Sequence, residues 1–176
     1  VMLINLTDVF TSEGKVRRES FTYEPGTVEY FGFEYPILSK TDAEITFQNI
    51  GNNRILLTGT MELDLEIPCD RCLQPVRTTV HVPMEYELAS PEATEQSEDA
   101  DEQSFMVGYE FDVDAFMESE ISFNMPTKIL CKPDCKGICK VCGKNLNEGD
   151  CGCDQFVPDP RMAAIKDIYD AFNKEV

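Results

Sequence analysis

The sequence is poor in positive charge and in histidine. Against 33 Asp and Glu residues it has 15 Lys and Arg residues, which gives a formal net charge of −18 at pH 7, and His81 is the single histidine. The shortage of Lys and Arg argues against extensive nucleic-acid binding, because phosphates are neutralised by clustered cations. A catalytic zinc normally has a His or carboxylate ligand and one open position. His81 occupies one of the polar positions of an alternating strand pattern, so we predict that it lies on the surface.

Long hydrophobic runs are also lacking. No segment approaches the roughly 20 apolar residues that a membrane helix needs, and the N-terminus has no basic stretch followed by an apolar run. We therefore expect a cytoplasmic protein with no secretory signal and no membrane association. A chain of 176 residues can bury a core without disulfides, so its cysteines are not needed to compensate for small size.

Catalytic motifs are missing as well. The chain has no nucleophile elbow, no glycine-rich phosphate loop and no convincing Ser/His/Asp or Cys/His set. Its acidic residues are too dispersed for a carboxylate pair to be picked out. We expect a binding role, with no enzymatic activity and no small-molecule substrate.

Two long segments alternate apolar and polar residues. The first runs from Leu57 to Ile67 and the second from Val76 to Leu88. A period of two is typical of half-buried strands, so the pattern predicts a long antiparallel hairpin with Cys69 and Cys72 at its tip. Pro83 lacks a backbone N–H and indicates an edge strand or an interruption.

Shorter strand candidates precede this hairpin. They cover Phe21 to Glu24, Val28 to Tyr35 and Ala43 to Ile50, and they are separated by Pro25-Gly26 and by the polar stretch Ser39 to Asp42. With the hairpin they predict an antiparallel sheet of about five strands, flat or curled into an open barrel.

The segments after the hairpin are of three kinds. Residues 90–104 are poor in apolar side chains and predict a mobile loop. Asp112 is predicted to cap a short helix that buries one apolar face: Val113, Phe116, Met117 and Ile121. Asp159-Pro160 is predicted to open a C-terminal helix. The apolar stripe of that helix is interpreted as packing on the core or sheet: Met162, Ile165, Ile168, Tyr169 and Phe172.

The eight cysteines occur in turn-like contexts at short spacings. Their order is Cys69-x2-Cys72, then Cys131-x3-Cys135-x3-Cys139-x2-Cys142-x8-Cys151-x-Cys153. Structural Zn²⁺ prefers four ligands in a tetrahedron, and a Cys-x2-Cys-Gly turn lets two thiolates converge on one ion. The first predicted site comprises the last four cysteines: Cys139, Cys142, Cys151 and Cys153. The remaining four form a predicted second site, which would join the hairpin tip to the C-terminal module: Cys69, Cys72, Cys131 and Cys135.

Other uses of these cysteines remain open. Cys131 and Cys135 could exchange places with members of the first site. An iron–sulfur cluster takes the same ligands. Disulfides are disfavoured by the reducing cytosol. A redox pair at Cys69 and Cys72 is disfavoured because no thioredoxin-like βαβ pattern surrounds it.

These patterns together predict an α+β fold: mainly an antiparallel β sheet or open barrel with a long hairpin, a C-terminal zinc-binding module and a C-terminal helix. The predicted divisions are an antiparallel β domain (1–89), an acidic loop with a short helix (90–127), a cysteine-rich zinc module (128–156) and a C-terminal helix packing on the sheet (157–176).

Charge is distributed unevenly along the chain. No Lys or Arg occurs from Thr78 to Thr127, a segment that we call the acidic tract. Lysines then recur at every fourth position: Lys128, Lys132, Lys136, Lys140 and Lys144. Metal-bound thiolates would offset part of this positive charge. The five lysines are candidate RNA contacts, with exposed solvated side chains as the alternative.

Several of these motifs resemble the YceD family of large ribosomal RNA subunit accumulation proteins. The stretch Ile67-Pro68-Cys69-Asp70-Arg71-Cys72-Leu73 is similar to the family's central signature. The segment from Cys131 to Cys153 is similar to the cysteine-rich extension of members from Gram-positive bacteria. Asp159-Pro160-Arg161-Met162-Ala163 resembles the closing helix, and Met2 to Leu6 also fits.

The resemblance implies a factor in 23S ribosomal RNA accumulation and large ribosomal subunit assembly, with structural zinc and no established catalytic residues. The implied partner is the large-subunit precursor, reached through 23S rRNA or a basic ribosomal protein. The acidic tract would engage the basic protein while the lysine-bearing end approaches RNA. The alternative is a zinc- or redox-responsive cytosolic regulator acting through protein–protein contacts, in which Cys69 and Cys72 release metal on oxidation.

Overall fold

The computed structural model describes residues 2–94, 105–153 and 162–172. It consists mostly of antiparallel strands with few helices, and the chain divides into two compact units. The first unit comprises Val1–Cys69 and Gln74–Ile129, and the second comprises Asp70–Leu73 and Leu130–Val176. Residues 70–73 at the tip of the long hairpin therefore belong to the second unit.

The first unit contains strands of different lengths and three helices among the described residues. Its strands are β1 (Leu3–Asn5), β2 (Val16–Phe21), β3 (Thr27–Tyr30), β4 (Phe33–Lys40), β5 (Ala43–Gly51), β6 (Arg54–Pro68), β7 (Pro75–Ala89), β8 (Met106–Val107) and β9 (Glu110–Asp112). Its helices are α1 (Thr7–Phe10), α2 (Pro91–Thr94) and α3 (Val113–Phe123). The second unit contains α4 (Ala163–Phe172). Among the described residues, no helix combines the length and the apolar content needed to cross a lipid bilayer.

Strands β6 and β7 form the predicted hairpin. They pair from Arg54 opposite Ala89 to Pro68 opposite Pro75. The alternating apolar residues of both strands are buried because successive side chains of a strand point to opposite faces. Among the described strands β7 pairs only with β6, so Pro83 lies on an edge strand, as predicted.

The large sheet has the strand order β2-β5-β6-β4-β3, with β7 on the other edge of β6. One half of β6 pairs with β5 and the other half with β4, always antiparallel. The predicted antiparallel architecture is confirmed, and closure into an open barrel stays a prediction.

Two of the shorter strand predictions were wrong in extent. The segment predicted as one strand from Val28 to Tyr35 forms two strands, β3 and β4, joined by Phe31 and Gly32. These two residues have φ values of 50° and 78°, as a tight hairpin turn requires, and an aromatic residue at that position concealed the turn. Of the strand predicted from Phe21 to Glu24, only Phe21 lies in a strand, because β2 pairs with β5 over Val16 to Phe21.

Helix α3 and a small sheet of β1, β9 and β8 complete the core. The Asp112 side chain accepts a hydrogen bond from the Ala115 backbone N–H at 3.0 Å, which confirms the predicted cap. The predicted buried face is also confirmed: Val113, Phe116, Met117 and Ile121. The ring of Phe116 lies 5.3 Å from that of Phe111, so α3 is anchored by aromatic packing.

The remaining predictions concern the segments after β7. Pro91–Thr94 form the short helix α2 rather than a loop, because the Ser90 backbone N–H binds the Asn53 carbonyl and holds this end in place. Residues 95–104 and Asp159-Pro160 lie outside the described residues. Helix α4 forms within the predicted segment, and its packing on the sheet stays a prediction. Four residues of the predicted apolar stripe are exposed: Met162, Ile165, Ile168 and Tyr169.

Candidate metal centre

The last four cysteines of the chain lie together in the second unit. We call them the C-terminal tetrad: Cys139, Cys142, Cys151 and Cys153. Their sulfur atoms all lie within 4.8 Å of one another. Four thiolates at a Zn–S distance of about 2.3 Å in a tetrahedron are about 3.8 Å apart, so the group is compact enough for one ion.

Backbone turns hold the first pair of this tetrad. The Cys139 backbone N–H donates to the Lys144 carbonyl at 2.8 Å, and the Gly143 N–H donates to the Cys139 carbonyl at 2.9 Å. The Val141 N–H points at the Cys139 sulfur at 3.4 Å. Gly143 has a φ of 74°, which explains the glycine directly after the second cysteine. The local sequence therefore folds into a turn that aims amides at sulfur.

Electrostatics within the C-terminal tetrad favour a bound cation. Hydrogen bonds from the Cys142 and Val141 backbone amides lower the pKa of Cys139 to about 6. Hydrogen bonds with the sulfurs of Cys142 and Cys151 raise the pKa of Cys153 to about 12. The two shifts are opposite because backbone amides stabilise the Cys139 thiolate, whereas Cys153 shares its proton with the neighbouring sulfurs. A divalent cation at the centre of the tetrad would replace that proton.

The other four cysteines form a second group, which we call the hairpin-tip tetrad: Cys69, Cys72, Cys131 and Cys135. Their sulfur atoms also lie within 4.8 Å of one another. The Cys72 and Cys131 sulfurs are 3.5 Å apart although 59 positions separate them in the sequence. Cys69, Cys72 and Cys135 are buried, whereas Cys131 is exposed.

Three residues that the sequence analysis did not single out support the hairpin-tip tetrad. Asn147 donates through its side-chain amide to the Cys135 sulfur at 3.2 Å, which lowers the pKa of that thiol. The Arg71 guanidinium donates to the Cys135 carbonyl at 2.8 Å. Gly137 has a φ of 78°, and an added Cβ would lie 3.0 Å from the Arg71 carbonyl oxygen. The only sequence signal for these roles was the position of Arg71 between two cysteines.

The donor set of both tetrads suits zinc. All eight cysteines lie in described parts of the chain and carry thiols rather than disulfide bonds. Four sulfur donors make a closed tetrahedral site, which is the structural rather than the catalytic arrangement. His81 belongs to neither tetrad. Its Nδ1 lies 2.8 Å from a Glu62 carboxylate oxygen on the exposed face of the hairpin.

The predicted RNA-contact lysines are all exposed: Lys128, Lys132, Lys136, Lys140 and Lys144. Lys128 belongs to the first unit and the other four to the second. The Lys144 ammonium donates to the Asp150 carbonyl at 3.1 Å, so this lysine also closes the loop of the C-terminal tetrad. A role of these lysines in RNA binding stays a prediction.

Relatives of this chain occur in mycobacteria. It is 29% identical over 128 residues to uncharacterized proteins of Mycobacterium bovis and Mycobacterium tuberculosis, covering 72% of this chain and 61% of each relative. An uncharacterized protein of Mycobacterium leprae is 28% identical over 93 residues, covering 52% of this chain and 43% of the relative. The chain thus spans about three fifths of the length of the Mycobacterium bovis and Mycobacterium tuberculosis relatives. No solved structure matches it.

A protein-family comparison covers most of the described residues. The family model described as "Large ribosomal RNA subunit accumulation protein YceD" matches residues 57–169. The matched range contains most of the long hairpin, helix α3 and both cysteine tetrads. The resemblance found in the sequence motifs is therefore confirmed, and the mycobacterial relatives agree with a Gram-positive type of member. The chain belongs to the YceD family of large ribosomal RNA subunit accumulation proteins.

Proposed function

We propose that this protein is a non-enzymatic cytoplasmic factor in 23S ribosomal RNA accumulation and large ribosomal subunit assembly. The observation that carries the proposal is the match of the YceD family model to residues 57–169. The family's description ties it to accumulation of the large-subunit RNA. The closed, all-sulfur donor sets add support, because neither leaves an open position at which a substrate would react.

Two structural zinc ions form part of this proposal. The C-terminal tetrad and the hairpin-tip tetrad would each hold one ion through four thiolates. The segment between Lys144 and Asp150 is too short and too polar to fold by burying apolar surface, so metal binding would supply its folding energy. At the C-terminal tetrad, zinc is favoured over an iron–sulfur cluster because the turn Cys139-x2-Cys142-Gly143 suits a single tetrahedral ion.

The charge distribution suggests how the protein meets the ribosome precursor. The acidic tract, Thr78 to Thr127, contains no Lys or Arg and would engage a basic ribosomal protein. The exposed lysines from Lys128 to Lys144 would approach the phosphates of 23S rRNA. Because the net charge is −18, the contact with the basic ribosomal protein would contribute more to binding than the contact with RNA.

Sedimentation of native cell lysate tests the assembly role. We expect the protein to migrate with immature large subunits, and RNase treatment to release it if rRNA is the main contact. The gradient fractions are probed for the protein with and without RNase. Residence only at the top of the gradient, even after mild crosslinking, would contradict the role and favour the zinc- or redox-responsive regulator.

Replacing three lysines tests the RNA contact. We expect the combined variant Lys132→Gln, Lys136→Gln and Lys140→Gln to bind purified large-subunit rRNA more weakly. The slope of log affinity against log salt concentration should fall by about 1 for each lysine that binds a phosphate in the native protein. Affinity is measured by filter binding over a series of salt concentrations.

A matched variant controls for the change in net charge. Lys15→Gln, Arg18→Gln and Arg54→Gln remove the same charge from the first unit, outside the lysine series. An unchanged salt slope is expected for this control. Equal salt slopes for the two triple variants would show that the lysine series does not bind RNA.

A further inference from the structure

Two adjoining cavities lie beside helix α3 in the first unit. Their volumes are about 380 and 350 Å³, and they share Tyr23, Pro25 and Glu118 as lining residues. One continues along the β3–β4 hairpin past Val28 and Phe31. Because the cavities share a wall, we treat them as one depression and call it the Tyr23 groove. The metal tetrads contribute no residue to its lining.

The lining of the Tyr23 groove is strongly acidic. Its lining residues include six carboxylates and no Lys, Arg or His: Glu24, Glu29, Glu34, Asp112, Asp114 and Glu118. Asp112 caps α3, and Asp114 accepts a hydrogen bond from the Met2 backbone N–H at 2.7 Å. Among the described residues, the four glutamate side chains have no hydrogen-bond or ion-pair partner, so their charges are available to a ligand.

Tyr23 provides a second, independent sign of a ligand. The residue is 4% exposed and lines both cavities, yet its hydroxyl has no hydrogen-bond partner among the described residues. Burial, followed by the charges of Glu118 and Asp114, raises the pKa of Tyr23. Both carboxylates are also lining residues of the groove. Because Tyr23 lines both cavities, its hydroxyl can form a hydrogen bond with a ligand in the groove.

The aromatic groups around the groove suit an organic cation. Phe31 is 84% exposed at the turn between β3 and β4, where its ring lies 4.4 Å from that of Tyr30. The Lys40 ammonium already lies 5.8 Å from the centre of the Tyr23 ring, held by the Glu24 and Pro25 carbonyls. Lys40 is not a lining residue of the groove, but its contact shows that the Tyr23 ring accepts a cation on its face.

A small metal ion is a poorer occupant. In the described parts of the chain, only the cysteine tetrads bring three or more metal-ligating atoms within 4.8 Å of one another. The groove carboxylates are therefore spread along its length rather than converging on a point. A guanidinium is planar, has five N–H donors and stacks on aromatic rings, so it can reach separate carboxylates at once.

We propose that the Tyr23 groove binds an arginine side chain from a basic segment of another protein. The guanidinium donates hydrogen bonds to the groove glutamates and to the Tyr23 hydroxyl oxygen, and the exposed Phe31 ring covers its flat face. RNA is excluded as the occupant because its phosphates would be repelled by the carboxylates. The inference deepens the proposed function, and it rests on that function only for the identity of the protein that supplies the segment.

Binding of a labelled peptide to the full-length, zinc-loaded protein tests the groove. The probe is a fluorescein-labelled peptide of alternating Arg and Gly, measured by anisotropy at physiological salt. We expect Glu29→Gln, Glu34→Gln and Glu118→Gln together to weaken binding about tenfold. Tyr23→Phe, which keeps the ring, should weaken it about threefold. Replacing the arginines of the peptide with citrulline, which is neutral, should abolish binding.

A charge-matched variant separates the groove from general attraction to an acidic protein. Glu13→Gln, Glu66→Gln and Glu110→Gln remove the same charge from exposed positions outside the groove, and binding should stay within about twofold. Equal weakening by both triple variants, or full affinity of Tyr23→Phe, would overturn the proposal. The outcome is independent of the gradient experiment. Peptide binding without sedimentation on large subunits would overturn only the ribosomal role. Sedimentation on large subunits without peptide binding would overturn only the proposed arginine binding in the groove.

Discussion

Removal of zinc with a chelator is expected to unfold the cysteine-rich segment while the sheet of the first unit stays folded. Structural zinc sites contribute roughly 10–16 kcal/mol of folding free energy, and this segment has few apolar side chains to replace it. The first unit has its own buried core around β6, β7 and α3. Hydrogen exchange followed by mass spectrometry should show lost protection from Leu130 to Cys153 and retained protection in β6 and β7.

Single serine variants test whether each tetrad holds its own ion. We expect about two zinc ions per chain in the native protein and about one in either Cys131→Ser or Cys142→Ser. Both cysteines are exposed, so their replacement costs little packing. Val141→Ser changes an exposed neighbour and should keep both ions. Metal content is measured by elemental analysis of protein purified without added metal.

Two results would contradict the zinc sites. Unchanged metal content in Cys131→Ser and Cys142→Ser would show that these two cysteines are not metal ligands. A brown colour and acid-labile sulfide in the purified protein would show that it holds an iron–sulfur cluster instead of zinc. Retained protection from Leu130 to Cys153 after complete metal removal would show that the segment folds without an ion.

Phe116→Ala is expected to destabilise the first unit severely. Phe116 is fully buried, and its ring lies 5.4 Å from Phe105, 5.3 Å from Phe111 and 6.0 Å from Tyr86. Its truncation removes the aromatic packing that holds α3 to β7 and β9 and leaves a cavity, at a cost of about 3–5 kcal/mol. For a chain of this size the melting temperature should fall by about 10 °C. Circular dichroism during heating in zinc-containing buffer measures the change.

The same helix offers a matched control. Phe123 is the last residue of α3 and is 86% exposed, so Phe123→Ala removes an identical side chain with almost no buried surface. Its free energy of unfolding should change by no more than about 0.5 kcal/mol. Equal destabilisation by the two variants would mean that the aromatic cluster is not what anchors α3.

The elements that were predicted well are those whose pattern is local and long. The β6–β7 hairpin follows from strict alternation over two stretches, and α3 follows from a cap at Asp112 and an apolar face. Each signal reports which face of one element is apolar, and that can be read from neighbouring residues along the chain. The β3–β4 turn was missed because Phe31, rather than Asn or Asp, occupies its first position.

Within the candidate metal centre, the spacing indicated two groups of four cysteines but left open an exchange of Cys131 and Cys135 between them. Cys139 and Cys142 are close in any fold because a tight turn joins them. The 3.5 Å separation of Cys72 and Cys131 depends on how two distant segments meet. The hydrogen bond from Asn147 to the Cys135 sulfur was likewise invisible, since asparagine is common in any polar loop.

The sequence by itself determined the antiparallel class, the long hairpin, the all-cysteine donor chemistry and the family. Periodicity, turn residues and ligand type are properties of short segments, so they can be read without knowing the fold. Only the tertiary structure decided where Cys131 and Cys135 lie and formed the Tyr23 groove. Tyr23 and Glu118 are far apart in the chain, and both line the groove because strand register and the packing of α3 bring their segments together. Such juxtapositions leave no mark in local sequence, since each residue alone is compatible with an ordinary surface or core position.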